Sequence, residues 1–246
     1  SMSGVTTTGA SILGNLETMP HLTNGIESLP NGILFWRSFL QWIGGMGVVV
    51  FYIAILPLLG IGGVQLFKAE VPGPVASKIT PRVRETAKLL WIVYVGFTLL
   101  QTIALLLAGV NLFDSICHSF TTIATGGFST KNASIAYFNN PAVHYIIIFF
   151  MFLSGVNFSL HFRAISGNSK IYFRDLEFIV YFLIIFLVNL IIFYSISISQ
   201  ENFLLENFRE SFFATVCMLT GTGFVLGDYE LWPIFVQMII LILMFI

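Results

Sequence analysis

The feature that most constrains this chain is the spacing of its charges. No charged residue falls in the 30 positions between Arg37 and Lys68, the 25 between Lys88 and Asp114, the 31 between Lys131 and Arg163, or the 23 between Glu177 and Glu201. A helix needs about 20 apolar residues to cross a bilayer. Each gap holds one such helix, and a fifth begins at Leu231. Only 9% of the residues are charged and 57% are hydrophobic, whereas soluble domains run near 25% charged. The predicted fold class is therefore an all-α polytopic membrane protein. A net charge of −1 gives no electrostatic footprint for nucleic acid. Cys117 and Cys217 are too few for a disulfide framework. The opening SMSGVTTTGA carries no signal-peptide pattern, and the last apolar run stops after 16 residues. The chain is expected to be an internal piece of a longer protein.

Two further apolar segments, Phe113–Ala124 and Phe208–Leu219, are about a dozen residues long and end in Gly/Thr clusters. That length suits a re-entrant half-helix and not a span, with Asp114 and Asn207 placed as N-caps. The order is a re-entrant tail (1–14), a span (33–60), a span (89–109), a re-entrant segment (112–130), a span (143–162), a span (178–199), a re-entrant segment (207–226) and a span from 231. It repeats roughly every hundred residues. Eight of the eleven Lys and Arg residues lie on the loops 68–88 and 163–177, which the positive-inside rule makes cytoplasmic. The half-helices then enter from outside and return there. The segment Leu22–Asn31 reads as an extra outer loop.

The three re-entrant segments end alike: Thr6-Thr7-Thr8-Gly9, Ala124-Thr125-Gly126-Gly127 and Thr220-Gly221-Thr222-Gly223. Irregular backbone at membrane depth is tolerated where it lines a wet cavity. Glycine turns consecutive carbonyls to one side, and rings of carbonyls replace the hydration shell of a large monovalent cation. The C-terminal end of a half-helix adds a negative dipole. These twelve residues are the candidate K+ filter, with K+ the only metal and no covalent cofactor expected. No carboxylate lies in a span, which disfavours a Ca2+ or Mg2+ cage. The competing reading of the clusters is close helix packing.

The stretches TTTGAS (6–11), FWRSFLQWIGGMGVVV (35–50), AILPLLGIGGVQLFKAEVPGP (54–74), PRVRETAKLLW (81–91), HSFTTIATGGFST (118–130), LSGVNFSLHF (153–162) and RDLEF (174–178) resemble the TrkH branch of the Trk/Ktr/HKT superfamily of K+ transport proteins. The resemblance covers nearly the whole chain. It implies four helix–pore loop–helix repeats around a central ion path. It also implies a homodimer in a bacterial inner (cytoplasmic) membrane and a cytoplasmic nucleotide-binding regulatory subunit (TrkA-like). On that pattern residues 1–67 end repeat 1, 68–167 form repeat 2 and 168–246 form most of repeat 3. The family's intramembrane gate loop and fourth repeat have no counterpart here. The third filter departs from the pattern by its added glycine, Gly221, which would loosen it locally.

The function these readings imply is potassium uptake through a Thr/Gly carbonyl filter. Alternatives are Na+ or K+/Na+ transport in the same superfamily and, in a different class, a non-transporting assembly subunit. No nucleophile–base pair or paired acids lie in the spans, so an enzyme is not expected. Gly44, Gly45 and Gly47 are pore-lining or hinge candidates, with close packing the favoured reading. Asn157 either faces the ion path or bonds a neighbouring helix. His118, His144 and His161 lack metal-ligand spacing. Arg37 is expected to snorkel or to pair with Glu17 or Glu27.

Overall fold

A computed structural model of the chain describes residues 2–11, 25–55, 79–165, 169–199 and 204–245. These residues form helices and turns. In chain order the α-helices are α1 (Met2–Val5), α2 (Asn31–Ile55), α3 (Ile79–Leu107), α4 (Leu112–Ile123), α5 (Pro141–Ser154), α6 (Phe158–Ile165), α7 (Leu176–Ser199), α8 (Leu204–Leu219) and α9 (Ile234–Leu243). The segments Lys88–Leu107 and Leu176–Ser199 are long and apolar enough to span a membrane. By contrast α4, with 12 residues, reaches only about 18 Å. That is too short for a hydrocarbon core near 30 Å.

Several boundaries differ from the sequence expectations. The span expected over 143–162 is two helices, α5 and α6, bent by 97° at residues 155–157. Helix α3 begins at Ile79, so residues 79–88 of the basic loop 68–88 are its first turns. Residues 68–78 lie outside the described residues, as do 12–14 of the re-entrant tail, 22–24 of the extra loop and 56–60 of the first span. Asp114 is not the N-cap of α4. Asn111 is, accepting the Asp114 backbone N–H at 2.7 Å while its amide donates to the Asp114 carboxylate at 2.8 Å. Asn207 is not a cap either, because α8 starts at Leu204 and encloses it.

The half-helices are held in a cage of longer helices. Helix α4 packs along α2 and α3, and α8 along α5 and α7. The faces between them are apolar: Met46, Tyr94, Ile123 and Phe150 form one cluster, and Met151, Ile185, Phe213, Val216, Cys217 and Phe224 belong to another. The buried carboxylate of α4 is absorbed locally. Asp114 accepts from Thr130 Oγ1 and lies 3.8 Å from the Lys131 ammonium. The outward faces of α3 and α7 expose Leu99, Leu100, Phe182 and Leu187, as expected of helices solvated by lipid.

Candidate ion-selectivity filter

Each half-helix ends in the same way. The backbone N–H of Thr7, Thr125 and Gly221 bonds the carbonyl three residues back, at 3.1, 3.0 and 3.1 Å. The N–H of Thr8, Gly126 and Thr222 bonds the carbonyl five residues back, at 3.1, 2.8 and 3.0 Å. This pair of bonds is the Schellman motif, which requires a left-handed residue at the first position after the cap. Thr7, Thr125 and Gly221 fill it, at φ of 54°, 50° and 67°. Two residues on, Gly9, Gly127 and Gly223 are left-handed again, at 72°, 71° and 78°. The intervening Thr8, Gly126 and Thr222 are not. Alternation of hand swings successive peptide dipoles to one side. The amides of the motif are bonded back to the helix, and the negative end of the helix points at the loop.

The structure therefore places Gly221 where Thr7 and Thr125 stand. A β-branched residue is strained at positive φ, and glycine is not. The added glycine fits the backbone shape shared by all three loops.

The loops also interlock. A Cβ on Gly9 would fall on the carbonyl oxygen of Gly126, and one on Gly127 would fall on that of Thr222. In both cases the glycine of one loop abuts the residue preceding the glycine of the next. Loop 1 (Thr6–Gly9), loop 2 (Ala124–Gly127) and loop 3 (Thr220–Gly223) thus stand side by side in chain order at one level. Beyond them, Ile135 and Ala136 both donate backbone N–H groups to Val225 O, at 3.1 and 3.2 Å, tying the exit of loop 2 to that of loop 3.

Helices seat the loops through a joint that is built twice. Tyr94 of α3 donates to Trp42 O of α2 at 2.9 Å, and their rings lie 5.6 Å apart. Three residues after Trp42, a Cβ on Gly45 would lie 3.0 Å from Ala124 at the base of loop 2 and from the Tyr94 hydroxyl. Likewise Tyr181 of α7 donates to Phe152 O of α5 at 3.2 Å, with rings 5.3 Å apart. A Cβ on Gly155, three residues after Phe152, would lie 2.5 Å from the Tyr181 hydroxyl and 2.8 Å from Thr220 at the base of loop 3. The glycines permit close approach of helix to loop.

The remaining candidates are distributed unevenly. A Cβ on Gly44 would meet the backbone of Val5, just before loop 1. Gly47 has open space around it among the described residues. Asn157 is exposed and accepts the Ser159 N–H at 3.0 Å, opening α6 after the bend. Arg37 donates to Ser11 Oγ at 3.1 Å and lies over the Phe128 ring at 4.4 Å, bridging the outer ends of loops 1 and 2. His118 lies behind loop 2, its Nε2 3.0 Å from Ser129 Oγ. Sequence reasoning missed Gln41, Tyr94 and Tyr181. A buried glutamine in an apolar span was the one signal available for the first of them.

This architecture defines a class: a membrane protein of helix–re-entrant loop–helix units whose loops meet at one level. The family profile described as TrkH, cation transport protein, matches residues 1–246, and the chain belongs to that family. It is similar to the Trk system potassium uptake protein TrkH of Escherichia coli (strain K12), at 44% identity over 100% of this chain and 50% of that protein. The Trk system potassium uptake protein TrkG of the same strain is 40% identical, over 94% of this chain and 46% of its own length. The crystal structure of the potassium transporter TrkH from Vibrio parahaemolyticus superposes with a TM-score of 0.82 at 39% identity, covering 99% of this chain and 47% of that one. The chain spans about half the length of these relatives.

Proposed function

We propose that the full-length protein takes up K+ across the bacterial cytoplasmic membrane through a ring of backbone carbonyls to which Thr6–Gly9, Ala124–Gly127 and Thr220–Gly223 contribute. The observation that carries this reading is the shared alternation of backbone hand, with left-handed residues at 7 and 9, 125 and 127, 221 and 223. A dehydrated K+ exchanges its water shell for carbonyl oxygens held at fixed positions. Three half-helix C-termini add negative potential where the ion loses its water. The names of the relatives, potassium uptake proteins and a potassium transporter, support K+ as the ion. The protein works as a homodimer with a cytoplasmic nucleotide-binding subunit, on the family resemblance. Its basic loops face the cytoplasm by the positive-inside rule.

The test is uptake of rubidium into K+-starved cells that lack other K+ uptake and express the full-length protein. Saturable uptake that excess K+ suppresses and equal Na+ does not is the expected result. Uptake no greater than in cells carrying an empty vector overturns the proposal. Suppression by Na+ as strong as by K+ replaces K+ with a K+/Na+ reading.

A further inference from the structure

Loops 1 and 3 each brace themselves. In loop 1 the Thr6 and Thr8 hydroxyls lie 2.8 Å apart, and Ser3 Oγ donates to Ala10 O at 2.7 Å. In loop 3 the Thr220 and Thr222 hydroxyls lie 2.8 Å apart, and Cys217 Sγ donates to Phe224 O at 3.3 Å. Counted from each loop glycine these are the same positions: three and one before it for the hydroxyl pair, six before and one after for the second contact. Loop 2 lacks both braces. Ala124 and Gly126 stand at the hydroxyl positions. Thr121, six before Gly127, donates its hydroxyl to carbonyls of its own helix.

Gln41 of α2 fills the gap from the neighbouring repeat. Its amide nitrogen donates to Gly126 O at 2.6 Å and its amide oxygen accepts the Phe128 N–H at 3.2 Å. It is fully buried. A Cβ on Gly126 would collide with the Gln41 amide, so the glycine makes room for the glutamine. The same amide lies 3.9 Å from where a Cβ on Gly9 would sit, placing it between loops 1 and 2. The second joint shows the contrast: Gln41 immediately precedes Trp42, and Met151 immediately precedes Phe152. Met151 packs in the apolar cluster with Phe224.

We infer that Gln41 is a specificity-determining positioning residue, a brace lent by the first repeat to the second loop that fixes the Gly126–Phe128 peptides. The inference rests on the reading of the loops as a K+ filter. With the brace gone, the Gly126 peptide is free to rotate, and the carbonyls on either side lose their fixed spacing. A site with loosely held carbonyls discriminates less well between K+ and the smaller Na+.

The experiment uses the full-length protein with Gln41→Met, which installs the residue found at the matching place of the second joint. Gln41→Glu keeps the reach of the side chain and the acceptor for Phe128 N–H. Gly109→Ala is the control for a stability change away from the loops. Rubidium uptake is measured against K+ and Na+ competitors and normalised to inserted protein. Gln41→Met is expected to raise the apparent KM for rubidium about tenfold and lower K+/Na+ discrimination similarly. Maximal rate per inserted protein should hold within about twofold. Gln41→Glu should recover part of the discrimination, and Gly109→Ala should change abundance without changing it. Unchanged KM and discrimination in Gln41→Met overturn the inference. So does absence of both Gln41 variants from the membrane, which makes the residue a folding determinant. If Gln41→Met does not insert and Gln41→Glu does, unaltered discrimination in Gln41→Glu overturns the inference and lowered discrimination supports it. A wild-type protein with no K+-selective uptake fails the filter reading itself.

Discussion

Replacing Gly127 with Ala adds one methyl group where the structure has least room for it. Gly127 sits at φ +71°, a left-handed conformation. There a Cβ costs about 1–2 kcal/mol against its own carbonyl. The new atom also falls on the Thr222 carbonyl oxygen of the next loop. Either loop 2 backs away or the Thr222 peptide tilts, and both movements displace carbonyls of the proposed ion site. If 1–2 kcal/mol is withdrawn from ion coordination, affinity falls about 5–30-fold. Gly109 supplies the control. It is left-handed too, at φ +90°, but a Cβ there meets nothing within 4 Å among the described residues. Gly109→Ala carries the backbone penalty without touching a loop, so it should lower stability and leave ion preference alone. The assay is rubidium uptake by full-length variants in K+-starved cells, with Na+ competition and immunodetection of membrane protein. Gly127→Ala should raise apparent KM and admit Na+ while remaining inserted. Unchanged KM and K+/Na+ ratio in Gly127→Ala would refute the reasoning, as would an equal loss of selectivity in Gly109→Ala.

Other expectations follow from the same geometry. Gly44→Ala drives a methyl group into the backbone of Val5, whereas Gly47→Ala meets open space among the described residues; the first should reduce inserted protein in membrane fractions and the second should not. Asn111→Ala removes the N-cap of α4 and should cost about 1 kcal/mol, seen as a lowered thermal midpoint of the solubilised protein. Because Cys117 and Cys217 are buried, single added cysteines report sidedness. Ala133→Cys should react with an impermeant thiol reagent on intact cells, and Phe173→Cys should be protected until the cells are opened.

Much of the architecture could be read from where charges are absent. Gaps between charges located the segments Lys88–Leu107 and Leu176–Ser199, which are long and apolar enough to span, and length set the half-helix α4 apart from them. The recurrence of glycine at 9, 127 and 223 placed the loops in register, because only backbone conformation links them. The bend at residues 155–157 escaped notice, since the 31-residue charge gap looks the same whether one helix or two occupy it. Asn111 was passed over for Asp114 because an aspartate is an equally good cap, and only the hydrogen bonds tell them apart. The left-handed Thr7 and Thr125 ran against propensity: a β-branched residue argues for extended backbone until the helix-end bonds are seen to impose the opposite. Tyr94 and Tyr181 stand 87 residues apart by their numbering. Their equivalence appears only when the carbonyls of Trp42 and Phe152 are found beneath them.

The twice-built joint also bears on the order of biogenesis. Loop 2 is seated by α2 and α3, and loop 3 by α5 and α7. In each case both supporting helices leave the ribosome before the loop they receive. Neither of these two loops has to wait for a later helix to complete its joint, so for both of them chain elongation runs in the same direction as assembly. A polar loop entering lipid ahead of its supports would expose unpaired backbone at a cost of several kcal/mol per group. For loops 2 and 3 the order of elements along the chain removes that hazard, so each pair of finished helices becomes the template on which the next loop is laid.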